Sequence, residues 1–129
     1  MDEVAHEFTY ILGEKEDLLL VLFQGKFSHE AEPVLEKLDL EIQDKPQSIV
    51  LFVFRDVSGF MPGPHVNFAK TQKAVRDAGK LVGICSLKPE VRNTLLKLGV
   101  VRESEIFNNI PDAWKSLRFK FESQKPKSR

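Results

Sequence analysis

At 129 residues, with 42% apolar and 29% charged side chains, the chain has the size and make-up of one folded domain rather than a disordered segment. Nineteen Lys and Arg balance nineteen Asp and Glu, so no net field draws it to nucleic acid or an anionic membrane. A single cysteine, Cys85, excludes an intramolecular disulfide and fits a reducing compartment.

Taken from the N-terminus, the acidic start MDEVAHEF lacks the basic-then-apolar order of a secretion signal, and no apolar run reaches bilayer-spanning length. A cytoplasmic protein without membrane insertion is expected. Phe8 to Leu12 and Leu18 to Phe23 are β-rich runs joined by a polar hairpin connection, Gly13 to Asp17. Gly25 ends the second run. Ser28 offers a hydroxyl to cap a helix whose positive end suits Glu30 and Glu32, and Ala31, Val34, Leu35, Leu38 and Ile42 repeat at helical spacing. Ile49 to Phe54 is apolar on both faces, the mark of a central strand covered on both sides.

Residues 55–64 hold two prolines and two glycines and are expected to be irregular. Gly63 is an acceptable cap and Pro64 a favoured first residue for a second helix, which should run to about Ala78 and stop at Gly79. Leu81 to Cys85 reads as another buried strand. Pro89 opens a third helix with Val91, Leu95 and Leu98 on one face and Gly99 as its stop. A short strand at Glu105 to Phe107 precedes a last helix with the stripe Ile110, Trp114, Leu117 and Phe121. This order predicts an α/β fold: one domain over residues 1–122, a mixed sheet of four to five strands with about four helices packed on it. Residues 123–129, with Lys125, Lys127 and Arg129, read as a basic, flexible C-terminal tail.

No catalytic constellation stands out. His6, His29 and His65 lie far apart in sequence with no neighbour at metal-ligand spacing, so no metal and no cofactor is expected. His65 at a helix start suits either an anion contact or, more simply, a solvated or interface position. Cys85 ends a buried strand and reads as an inert core thiol. Gly59 and Gly63 match neither nucleotide-binding spacing. Asp56 and Ser58 follow the central strand, where open α/β sheets place binding sites; they serve either a contact or local turn hydrogen bonds. Phe60 and Met61 form either an outward apolar knob or the top of the core.

Three stretches, in this order and spacing, resemble the STAS (anti-sigma factor antagonist) family. Gly25-Lys26-Phe27-Ser28 and the helix through Leu35 and Leu38 are similar to its first turn and helix, with Ser28 in the place of a capping Asp. Val50 to Met61 resembles its central strand and the segment after it. Ala78 to Cys85, with Pro89 to Arg92 and Leu95 to Val100, is similar to its fourth strand and third helix. Ile106-Phe107 followed by Ala113-Trp114 fits its closing pattern.

The resemblance implies a non-catalytic bacterial regulator that binds a protein partner, an anti-sigma factor or another regulator of serine-kinase fold, through Asp56, Ser58, Phe60, Met61, Pro62, Gly63, Pro64 and His65. In the family a partner kinase phosphorylates a serine at the start of the second helix. Here Gly63 stands at that position, and residues 59–70 contain no Ser, Thr or Tyr. The serine phosphoswitch is therefore expected to be absent, and with it the charge that would be installed at a helix N-terminus. Two other roles fit the same resemblance: an adaptor subunit of a transporter or signalling complex, and a small-molecule (nucleotide or lipid) sensor.

Overall fold

The computed structural model describes residues 8–124, and within them the strand–helix order read from the sequence is present. Thr9–Lys15 (β1) and Leu18–Phe27 (β2) form an antiparallel hairpin. Its connection is tighter than expected, because Gly13, Glu14 and Lys15 continue the strand and only Glu16 and Asp17 turn, with Glu16 at φ 54°. Ala31–Gln43 (α1), Ile49–Phe60 (β3), His65–Asp77 (α2), Leu81–Cys85 (β4), Pro89–Lys97 (α3), Ile106–Phe107 (β5) and Ile110–Gln124 (α4) complete the chain. α4 runs two residues past the expected edge of the folded unit; residues 1–7, with His6, and the remainder of the expected tail, 125–129, lie outside the described residues.

The sheet is mixed, in the order β1-β2-β3-β4-β5, with every pairing after the hairpin parallel. Each parallel step is bridged by a helix, and α1, α2 and α3 deliver their stripes to the same face. Leu35, Leu38, Phe68, Val75, Val91 and Leu95 pack there with Val21, Phe23, Val50, Phe52 and Ile84. The opposite face holds Leu18, Ile49, Leu51, Val53 and Cys85, and α4 covers it through Ala113 and Leu117. Strands buried on both sides explain the unbroken apolar runs of β2 and β3. Gly83 in β4 lets α4 approach closely: a Cβ there would stand 2.5 Å from Leu117 Cδ1.

The expected irregular segment after Phe54 is the main correction. Arg55 to Phe60 continues β3, paired to the equally long end of β2. Two register shifts each insert one extra residue in β3: Leu22 faces Val53 but Gln24 faces Asp56, and Gly25 faces Val57 but Lys26 faces Gly59. Strict alternation would send residues 50, 52, 54, 56, 58 and 60 inward. The first shift instead hands the inward place to Val57, turning Asp56 out, and the second carries the pattern on to Phe60. A polar stretch thus stays in the sheet without burying its polar side chains.

The helix starts also differ from expectation. Ser28 does not cap α1 with its hydroxyl. Glu30, the residue before the helix, already has helical φ and makes no side-chain cap bond, while Ser28 contributes its carbonyl, which accepts from the Ala31 N–H at 2.8 Å. An extended residue immediately before the helix is what hydroxyl capping needs, and Ser28 lies too far back. At α2 the cap is Pro64 and the first helical residue is His65, one position later than expected.

Candidate functional site

Phenylalanines build the floor of the site. Phe23, Phe27, Phe52, Phe54 and Phe68 are fully buried, and Phe68 of α2 meets Phe27, Phe52 and Phe54 edge-on at centroid distances of 5.9, 5.2 and 5.4 Å. Such edge-to-face contacts add specific geometry to plain burial. Phe60 extends the pile, stacking on Phe27 at 5.5 Å, half-buried. Met61 N–H donates to the Phe27 carbonyl at 2.8 Å, so the chain stays tied to β2 until it turns into α2.

Above this floor the predicted residues separate into two groups. Asp56 and Ser58 are exposed on β3, Asp56 beside Arg55 at 3.6 Å, rather than in a loop beyond the strand. Met61 is 38% exposed and Pro62 is exposed, whereas Pro64 is buried beneath the turn and Phe60 is mostly floor. Gly63 has φ +128°, a region that favours glycine. Its N–H donates to His65 Nδ1 at 3.0 Å, and its carbonyl accepts from Val66 at 3.3 Å. The first of these bonds turns the His65 ring toward the turn, with Nδ1 as the acceptor.

Three further residues belong to the site. Val66, in the first turn of α2, is 51% exposed and stands beside the turn that follows Met61. It lies off the buried positions Phe68, Thr71, Gln72 and Val75, and that offset was the signal available in the sequence. His29 packs its imidazole against Gly63, 3.1 Å from where a Cβ would be. Lys88, just before α3, donates from Nζ to the carbonyls of Val57 at 2.6 Å and Arg55 at 3.3 Å. β4 pairs with β3 only as far as Val53, so Lys88 takes the place of a neighbouring strand along the rest of that edge. No local pattern announces His29 or Lys88, because both contacts span some thirty residues.

Among the described residues no group of three or more His, Cys, Asp and Glu is arranged to hold a metal ion. Cys85 is buried on the opposite sheet face, and burial pushes its thiol above the ordinary value, the opposite of nucleophile activation. The first hydroxyl of α2, Thr71, is buried and donates to the Asn67 carbonyl at 3.1 Å. No helix among the described residues is long and apolar enough to cross a membrane.

No family model and no curated protein matches the sequence. Solved structures do. A variant of RsbS from Moorella thermoacetica superposes with a TM-score of 0.75 at 12% identity, covering 88% of this chain and 97% of that one. The anti-sigma factor antagonist SpoIIAA of Bacillus, in its unphosphorylated form, gives 0.71 at 13% identity over 86% and 97%. The chain has the STAS fold. The same fold forms part of a larger protein in murine Slc26a9, an anion transporter, where 88% of this chain aligns with 22% of that one at 14% identity and a TM-score of 0.72. Within the STAS fold of this chain, the turn from Met61 to His65 lies where β3 gives way to α2, on the floor formed by Phe27, Phe60 and Phe68.

Proposed function

We propose that the chain is a non-catalytic regulatory module that docks a protein partner on the surface formed by Asp56, Ser58, Met61, Pro62, Gly63, His65 and Val66. The observation that carries this reading is that two exposed apolar side chains, Met61 and Val66, flank the turn into α2, with the Met61 backbone tied to the buried Phe27. Anchors of this kind dominate the energetics of protein interfaces. A small-molecule sensor is the weaker reading. The strand order runs from β1 to β5 without reversal and α1, α2 and α3 share one face, so the strand ends lack the crevice that a reversal opens.

The partner is a regulator of the kind bound by anti-sigma factor antagonists, and binding proceeds without a serine switch at the α2 start. SpoIIAA exists in a phosphorylated form. Here residues 59–70 offer no hydroxyl to modify. An adaptor role within a larger assembly is favoured by one specific likeness, that to a transporter of which this fold is one part.

The test is affinity capture from the native cell followed by titration of the recovered partner. Met61→Glu and Val66→Glu should each weaken binding at least tenfold, about 1.4 kcal/mol. Lys73→Glu, on an exposed position of α2 paired to Asp77, should change it far less. Unchanged affinity in both site variants, with the circular dichroism of the parent, would place the interface elsewhere.

A further inference from the structure

We propose that the open edge of β1 pairs with the same edge of a second copy of this chain, joining two sheets about a two-fold axis at Ile11. This edge is separate from the docking surface at α2. β1 ends the sheet, and its register with β2 is regular from Thr9 to Lys15. The two-residue turn closes on Lys15 and Leu18, so Thr9, Ile11, Gly13 and Lys15 exchange main-chain hydrogen bonds with β2. Tyr10, Leu12 and Glu14 therefore turn their N–H and C=O groups to the open side.

Among the described residues this is the one open strand edge without a guard. β5, the opposite edge of the sheet, is two residues long, and the unpaired end of β3 is covered by the Lys88 ammonium. Short edge strands and lysines at an edge are devices by which sheets avoid pairing with another chain. β1 has seven residues, no proline, no bulge against β2, and no charge from Thr9 to Gly13. Ile11, in its middle, is 53% exposed. A row of unmet backbone groups around an exposed apolar side chain is a template for an added strand.

The strand that fits this edge is its own copy. Antiparallel pairing about Ile11 sets Tyr10 against Leu12 and Thr9 against Gly13, and it puts the outward groups of Tyr10 and Leu12 in hydrogen-bonded pairs. Ile11 then meets its counterpart in a non-hydrogen-bonded pair, where side chains approach most closely. The charged Glu14 and Lys15 fall outside this five-residue ladder. Val34, Lys37 and Glu41 of α1 form an open groove with Tyr10 and Leu12 beside the same edge. That flank carries one charge of each sign, and the chain as a whole carries no net charge, so self-pairing opposes no block of like charge.

Analytical ultracentrifugation of the full chain over about 1–200 μM tests this. It should show a monomer–dimer equilibrium, weakened at least tenfold by Ile11→Lys, which sets two ammonium groups together at the axis. Ile11→Cys should instead give a disulfide-linked dimer on mild oxidation, a link that the buried Cys85 does not offer the parent chain. In the dimer the Tyr10 and Leu12 amides should exchange slowly with solvent. They should exchange fast in Ile11→Lys, while the Gly13 amide, bonded to β2, keeps the protection of the parent and shows the hairpin intact. A dimer that survives Ile11→Lys but is lost in Met61→Glu would move the interface to the α2 start and overturn the edge pairing. A monomer throughout the range would overturn it as well, and protected Tyr10 and Leu12 amides in that monomer would assign the edge to residues 1–7 of the same chain.

Discussion

At Gly63 the backbone rather than the neighbouring side chains decides what can be substituted. With φ +128°, an L side chain is strained there, at a cost of about 1–3 kcal/mol. Gly63→Ala should therefore destabilise the fold by that amount in urea denaturation, and adding His29→Ala should restore little of it. Full rescue by the second change would instead make the 3.1 Å approach of His29 the cause. Asp39 gives a second expectation. Burial holds its carboxyl above the ordinary 3.8, the Thr71 hydroxyl pulls it partly back, and the Glu36 charge pushes it up again. Its Oδ1 is buried without a hydrogen-bond partner among the described residues, beside a cavity of about 10 Å³ between α1 and α2. A pKa raised in the folded state means that the ionised form costs stability at every pH above the folded value, a cost that vanishes below the unfolded value. Asp39→Asn should then stabilise the protein at pH 7, with the gain shrinking as pH falls through the folded pKa. A loss of stability at pH 7 would show that the charged carboxylate is a needed acceptor.

At the scale of elements, the apolar stripes were legible in the sequence and the polar end of β3 was not. Leu35 and Leu95 lie at 0% exposure in one core, as their spacing in two separate helices implied. Truncating either to Ala should cost about 2–5 kcal/mol in chemical denaturation; a loss below about 1 kcal/mol at both would contradict the packing described. Arg55 to Phe60 reads as a loop because Asp, Ser and Gly are poor strand formers. Pairing with β2, two inserted residues and a lysine on the open edge keep it in the sheet, and none of these is a local property. The site shows the same division. Met61 and His65 could be named from their place before and in a helix, whereas the contribution of His29 depends on a turn brought in from far along the chain. The family resemblance points to Phe60 and Pro64 as contact residues, and packing turns the first half inward and buries the second.

Across the whole molecule, the two faces of the sheet are unequally held. α1, α2 and α3 are each threaded between two strands, so none can leave without disrupting a parallel pairing. Among the described residues α4 is followed by no strand, and it rests on Leu51, Val53 and the bare backbone of Gly83. Gly83→Ala should lift it, at about 1–3 kcal/mol, because the new methyl would stand 2.5 Å from Leu117 Cδ1. Native-state hydrogen exchange should show the α4 amides opening at lower free energy than those of β3, and release of α4 only with global unfolding would refute this. The consequence concerns survival rather than recognition. An opened α4 uncovers a strip of aliphatic strand surface, the kind of exposure that proteases, chaperones and self-association act on. Turnover of the protein would then be governed by a helix on the face opposite the Phe68 core, and variants there would change how much protein persists while leaving what it binds untouched.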